Sequence, residues 1–270
     1  MTLDTIISNQ ERWARKRWPN HAGRRAPSLA DNIFIPMPPE VRRDFEAGSG
    51  SELGKDNKPG KMSSLRSSSA LGYNFFSPWI GRDLAPLSDA LTAAVSDRTI
   101  RFEKKYQHGL RGIAPNIDVV LDNDQPRPLA IECKFTEPYG PKSEHPRLDA
   151  KYFSGNRKRW SEQGLPRCQD LAQSIGSEVG FHRLNAGQLL KHILGLAWTT
   201  KAAPRLICLW FDSADEEATE HRSELVEFRR SIDAKVEFVS VTYQEAFKRL
   251  RNAPEPVSGY LAYLSERYFS

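Results

Sequence analysis

Residues 112–135 read GIAPNIDVVLDNDQPRPLAIECKF, and this stretch decides the fold. Two runs rich in β-branched and apolar residues, NIDVVLD and PLAIECKF, flank NDQPRP, whose Asn, Asp and Pro favour a turn. The pattern predicts two adjacent strands. Side chains alternate along a strand. Asp118, Val120 and Asp122 therefore share one face of the first, and Ile117, Val119 and Leu121 the other. On the second, Ala130, Glu132 and Lys134 oppose Ile131, Cys133 and Phe135. Pairing through the turn brings Asp118 beside Glu132, with Lys134 next to it. A Glu-x-Lys by itself reads more readily as an exposed ion pair. PLAIECKF, however, is apolar around its charges, which predicts a central and mostly buried strand. Charges there are costly unless they are paired or metal-bound.

Working outward, TIRFEKKY predicts a third strand just upstream. Before it, LSDALTAAVSDR predicts a helix with Leu87, Leu91, Ala94 and Val95 at helical spacing and Ser88 as N-cap. SLRSSSALGYNFFSPW predicts a short helix ended by Pro78. Downstream, residues 136–185 are mixed and rich in Gly and Pro. GQLLKHILGLAWTT then predicts an apolar helix, PRLICLWFD a buried strand, EEATEHRSELVEFRRSI an amphipathic helix and KVEFVSVTY a strand. YQEAFKRL and GYLAYLSERY predict closing helices. Strands separated by helices indicate an α/β (α+β) fold, a central mixed sheet flanked by helices.

The N-terminal part has a different composition. Residues 11–25, ERWARKRWPNHAGRR, interleave Arg and Lys with Trp13 and Trp18. This segment reads either as a DNA-contacting arm or as a helix with Trp13 packed on the core. PEVRRDFEAG predicts a short helix. AGSGSELGKDNKPGKMSS, residues 47–64, predicts a mobile loop. The expected division is a basic, partly irregular arm or lobe over 1–63 and the sheet domain over 64–270.

The net charge of +5 favours a polyanionic partner only slightly. Three cysteines, Cys133, Cys168 and Cys208, argue against a disulfide framework. With His108, His145 and His182 they form no zinc-ligand spacing. There is no phosphate-loop spacing, hence no expected nucleotide cofactor, and no apolar run long enough to span a bilayer. The first residues lack a signal-peptide pattern. The expected location is the cytoplasm, away from membranes.

Two carboxylates and a lysine on adjacent strands suit phosphodiester hydrolysis. Asp118 and Glu132 can hold Mg²⁺, or Mn²⁺, with the Cys133 backbone carbonyl as a further ligand. Lys134 can position water or stabilise the transition state. The Cys133 thiol faces the other side and is expected to pack.

The stretch resembles the PD-(D/E)XK nuclease superfamily, the fold of many restriction endonucleases. The matching residues are Asp118, thirteen intervening residues, and Glu132-Cys133-Lys134. Ile117 stands where the family name places proline, a position at which many members vary. The element order around the motif resembles the family's α-β-β-β-α-β core. SSSALGYNFFSPW, FTEPYG and Gln188 more loosely resemble one branch of it. The resemblance covers roughly residues 64–250. It implies a Mg²⁺-dependent DNA endonuclease of restriction type, acting in defence, with a homodimer to cut both strands. Asp118 and Glu132 would be its ligands and Lys134 its catalytic lysine. A further acidic ligand is common in the family. Glu103 is the leading candidate, with Glu46 and Glu52 as others, and Glu137 either binds metal or begins a loop.

For substrate contact the candidates are Arg157, Lys158 and Arg159, in the basic and aromatic run RLDAKYFSGNRKRW, and Gln188 and His192 on the following helix. The last two read equally as residues satisfying a partly exposed helix face. The alternative functions are a catalytically silent nucleic-acid-binding module of the same fold, or a nuclease acting on RNA or branched DNA.

Overall fold

The computed structural model describes residues 2–20, 23–55, 58–96, 98–110, 112, 114–122, 124–140, 148–176 and 180–269. Before the main sheet come α1 (Leu3–Arg17), α2 (Leu29–Asn32), α3 (Pro39–Ala47), β1 (Gly54–Lys55), β2 (Lys58–Pro59), α4 (Ser68–Phe76) and α5 (Ala85–Leu91), with short 3-10 turns between them. Then come β3 (Ile100–Lys105), β4 (Asn116–Leu121), β5 (Leu129–Lys134), α6 (Pro166–Ser174), α7 (Ala186–Thr200) and β6 (Arg205–Trp210). The chain continues with α8 (Glu216–Ser231), β7 (Glu237–Thr242), α9 (Tyr243–Leu250) and α10 (Tyr260–Leu264).

The main sheet runs β3-β4-β5-β6-β7. β3, β4 and β5 pair antiparallel, whereas β5, β6 and β7 pair parallel. The fold is thus the expected mixed sheet flanked by helices. β5 is its middle strand, and Leu129 to Cys133 are all buried.

Two apolar cores sandwich the sheet. Ile131, Cys133 and Phe135 face a core with Trp13, Phe45, Leu71, Leu87 and Phe247. Ala130 faces the other, with Cys168, Leu190, Cys208 and Phe228. Alternation along β5 therefore holds. Along β4 it breaks at Asp118: Val119 and Leu121 lie in the first core, but Ile117 joins Val120 in the second. The ladder shows why. β4 and β5 pair from Leu121↔Leu129 to Val119↔Ile131 and no further. The β3–β4 register also skips Glu103, whose φ of 48° is left-handed. A non-glycine residue in that region is strained, and such strain concentrates at functional sites. The sheet opens where the charged residues sit. Asp122, at the other end of β4, is structural: both its oxygens accept the Ser96 N–H at 2.9 Å.

Several sequence expectations need correction. The described residues of 47–64, expected as a loop, include regular elements. They form the β1–β2 hairpin and a 3-10 turn over Lys61–Ser63. Fully buried Met62 anchors the turn, and its N–H donates to the Glu52 carbonyl at 3.0 Å. Arg25 donates to Gly60 O at 2.8 Å. α5 starts at Ala85, not Ser88, and ends at Leu91, because Thr92 turns left-handed. Ser88 instead donates to Ala93 O, and Ala94 and Val95 lie past the helix. α6 lies inside the mixed region 136–185, with Pro166 at its start, where a missing N–H is harmless.

Residues on both sides of position 63 share the first core, among them Ile6, Trp13, Met62, Leu71 and Tyr268. Trp13 is packed: the Arg267 guanidinium lies 4.2 Å from its ring centroid and Tyr263 meets it edge-on. Among the described residues no helix is long and apolar enough to cross a membrane.

Candidate active site

β5 places Glu132 and Lys134 two residues apart on the face turned to α7. Lys134 Nζ donates to Glu132 Oε1 at 2.6 Å and to Gln188 Oε1 at 3.1 Å. The other Glu132 oxygen lies 3.0 Å from His192 Nε2. Gln188 and His192 are four residues apart, hence on one side of α7. Asn185 caps that helix, accepting the Gln188 N–H at 3.0 Å.

Asp118 enters from β4 at the point where the ladder stops. The Cys133 N–H, which a continuing ladder would give to β4 backbone, donates to Asp118 Oδ2 at 2.7 Å. In extended chain the N–H and C=O of one residue point to the same side. The Cys133 carbonyl therefore faces the same gap. Its thiol is buried on the opposite face, 3.2 Å from where a Cβ on Gly72 would sit, so it packs as expected.

The gap opens into a cleft of about 400 Å³. Asp118, Glu132, Lys134 and Gln188 line one wall, and Glu52, Lys61, Ser68 and Ser69 the other. Glu103 lies between them, buried, and accepts from Asn116 Nδ2 at 2.5 Å. Of the acidic candidates, Glu103 and Glu52 reach the cleft. Glu46 is exposed on α3. Glu137 begins the loop, accepting the Phe135 N–H at 2.8 Å.

Charge is unevenly balanced here. Burial, then Glu132 and Glu103, raise the Asp118 carboxyl well above its ordinary range. Burial, then Glu52, raise Glu103 to about 7. Burial also disfavours charge on Glu132, but Lys134 and His192 outweigh it and hold the carboxyl at about 2. Lys134 is likewise kept protonated by Glu132 and Asp118 against the effect of burial. The site thus holds a fixed ion pair and, beside it, carboxyls crowded enough to resist ionising together.

That crowding, and a donor set of oxygens, fits a hard divalent cation. Among the described residues no group of three His, Cys, Asp or Glu side chains forms a ready ligand set. Mg²⁺ tolerates this, because it is commonly held by one or two carboxylates and keeps several waters.

The remaining candidates fall elsewhere. His192 is 1% exposed behind Glu132, so it touches the carboxylate rather than the cleft. Arg157 pairs with Glu162, Lys158 is exposed and Arg159 is buried, and none of the three lines the cleft. His145 and Arg147 lie outside the described residues. Lys61, Ser68 and Ser69 were missed. Lys61 sits in a Gly/Ser/Lys-rich run that reads as solvated loop, and only the burial of Met62 beside it would have signalled otherwise.

A family model described as "Restriction Endonuclease associating with ARP" matches residues 6–269. No curated protein and no solved structure matches the chain.

Proposed function

The chain belongs to the family of restriction endonucleases associating with ARP, and on that premise we propose that it is a Mg²⁺-dependent endonuclease hydrolysing DNA phosphodiester bonds. The observation that carries this reading is the opening between β4 and β5, where Asp118 and the Glu132–Lys134 pair meet at one cleft. Asp118, Glu132 and the Cys133 carbonyl would hold the ion, and Mn²⁺ suits the same donors. When bound, it supplies charge neutralisation at the phosphate and a lowered pKa for water. Glu103, between the walls, and Glu52, on the far one, would act on water or on the cation.

The rest is done by the chain's own groups. Lys134, protonated and held by Glu132 and Gln188, presents its ammonium to the attacking water or to charge developing on the phosphate. His192 fixes the Glu132 carboxylate from behind. Lys61, Ser68 and Ser69 offer donors from the opposite wall. A homodimer follows from the need to cut two strands.

Plasmid DNA incubated with the protein in Mg²⁺, and in chelator, tests the reading. Cleavage is expected only with the ion and is lost in Glu132→Ala. Equal cutting by Glu132→Ala and the parent would overturn the assignment.

A further inference from the structure

A second cluster of cations lies along α7 from the cleft. Arg159 is 6% exposed, yet among the described residues its Nε and Nη1 have no hydrogen-bond partner. Buried guanidinium donors left without an acceptor are costly, and an anion would satisfy them. Chain packing brings two lysines towards it: the Trp160 indole N–H donates to Leu190 O at 2.9 Å, and the Tyr152 and Trp160 ring centroids lie 5.8 Å apart, so Lys191 and Lys151 flank the segment that carries Arg159, near buried His108. Burial, then Lys151, Arg159 and Lys191, hold that ring in its neutral form. His108 Nδ1 accepts the Leu110 N–H at 3.3 Å, and its Nε2 lies 3.5 Å from the Tyr152 hydroxyl. Lys151 Nζ lies 5.7 Å from the Tyr152 ring centroid. Lys191 is partly buried, and burial followed by Lys151 disfavours its charge. Asp149 stands 3.7 Å from Lys151 Nζ, but both are largely exposed, and such a pair is weak.

Glu162 reaches Arg159, and Asp149 and Glu132 reach Lys191, through space, but among the described residues none of these carboxylates bonds Arg159 Nε or Nη1. The position of the three cations relates them to the cleft. Lys191 is three residues beyond Gln188 on α7, a rise of about 4.5 Å, and is adjacent to His192, which holds Glu132. One helix thus serves both places.

We propose that Lys151, Arg159 and Lys191 form an anion subsite that holds a phosphate of the nucleic-acid strand next to the one being cut. The proposal rests on the nuclease reading for its ligand. Arg159 offers its unbonded Nε and Nη1 donors, and the less buried lysines add charge. The phosphate is either internal to the strand or its 5′ end.

The test uses the full chain in chelator, so that binding is read without cleavage. Affinity for a labelled DNA duplex is measured across salt concentrations for the parent and for K151Q/K191Q. The double variant is expected to bind about tenfold more weakly, with a slope of log Kd against log salt shallower by about 1. Inorganic phosphate, compared with chloride at matched ionic strength, is expected to raise the Tm of the parent more than that of Arg159→Met. Should Arg159→Met fail to fold, the Tm comparison is made with K151Q/K191Q, whose changes lie at less buried positions. Stronger competition by a 5′-phosphorylated oligonucleotide than by its unphosphorylated twin assigns the site to a terminal phosphate, and equal competition to an internal one. Parental affinity and slope in K151Q/K191Q would overturn the subsite. Lysine-dependent stabilisation by phosphate in a chain that cuts no DNA would keep the subsite and remove the nuclease reading.

Discussion

The two walls of the cleft are built by opposite means. The sheet wall, β4, β5 and α7, sets its charges by strand register and buries them: Glu132 is 1% exposed and bonded on both oxygens. The hairpin wall, residues 49–69, consists of two-residue strands, one turn and the start of α4. Its cation, Lys61, has a side chain 67% exposed and stands 3.7 Å from Glu52. A register fixes side chains to fractions of an ångström, as a reacting group requires. A turn held by backbone contacts presents a charge that can follow its ligand. The sheet wall is therefore suited to chemistry and the hairpin wall to binding.

The sharpest way to break that comparison is Lys134→Ala. Single-turnover cleavage at saturating DNA is expected to fall by about 10²–10³-fold, with DNA affinity much less affected. A loss confined to affinity would erase the distinction between the walls. Next in size is Gly60→Ala on the hairpin side. A Cβ there would lie 2.1 Å from the Glu52 carbonyl oxygen, so backbone must move. Urea denaturation is expected to show a loss of about 2–3 kcal/mol, with weaker DNA binding. An unchanged midpoint would mean that the hairpin is not docked in this way.

Acid sensitivity probes what supports the sheet wall. His221 on α8 meets the Trp210 ring edge-on at 4.9 Å, and Trp210 is the register partner of Lys134. Among the described residues neither His221 ring nitrogen has a hydrogen-bond partner. Burial, then the charge of Lys134, lower its pKa to about 3. In the unfolded chain it takes a proton near 6.5. The unfolded state thus binds the proton first, and stability is lost as pH falls from about 6.5 towards 3. By pH 5 the loss is about 2 kcal/mol. His221→Phe is expected to abolish that share of the acid loss in parallel denaturation curves, and identical curves would contradict it. The smallest effect is expected from Lys61→Ala. Its stability should change by less than about 1 kcal/mol, while affinity falls evenly across DNA sequences. A sequence-dependent change would mean that Lys61 reads bases rather than phosphate.

The same contrast explains what the sequence disclosed. PLAIECKF alternates two kinds of side chain on a strand buried on both faces, so its period was readable and its partners followed. The helices after it carry enough turns for their spacing to show. β4 was half readable: its strand was evident, but the phase break at Asp118 was not, because it comes from the ladder ending and not from any local residue. Glu103 is similar, since its left-handed φ has no glycine to announce it. The hairpin wall was illegible because glycine contacts and one buried methionine hold it, and neither leaves a period. His192 was readable as a residue near the site, but not its burial against Glu132, for a helix position gives a face and not a depth. The residues around Arg159 were singled out for composition alone. Their position beside His108 depends on chain segments far apart in sequence.

The proposed role of the opening between β4 and β5 is to hold a divalent cation for hydrolysis. Calorimetric titration of Mn²⁺ into the parent and into Asp118→Asn tests it most directly. The account predicts saturable binding by the parent, weakened more than about tenfold by the substitution. Equal affinity in the two proteins would contradict it.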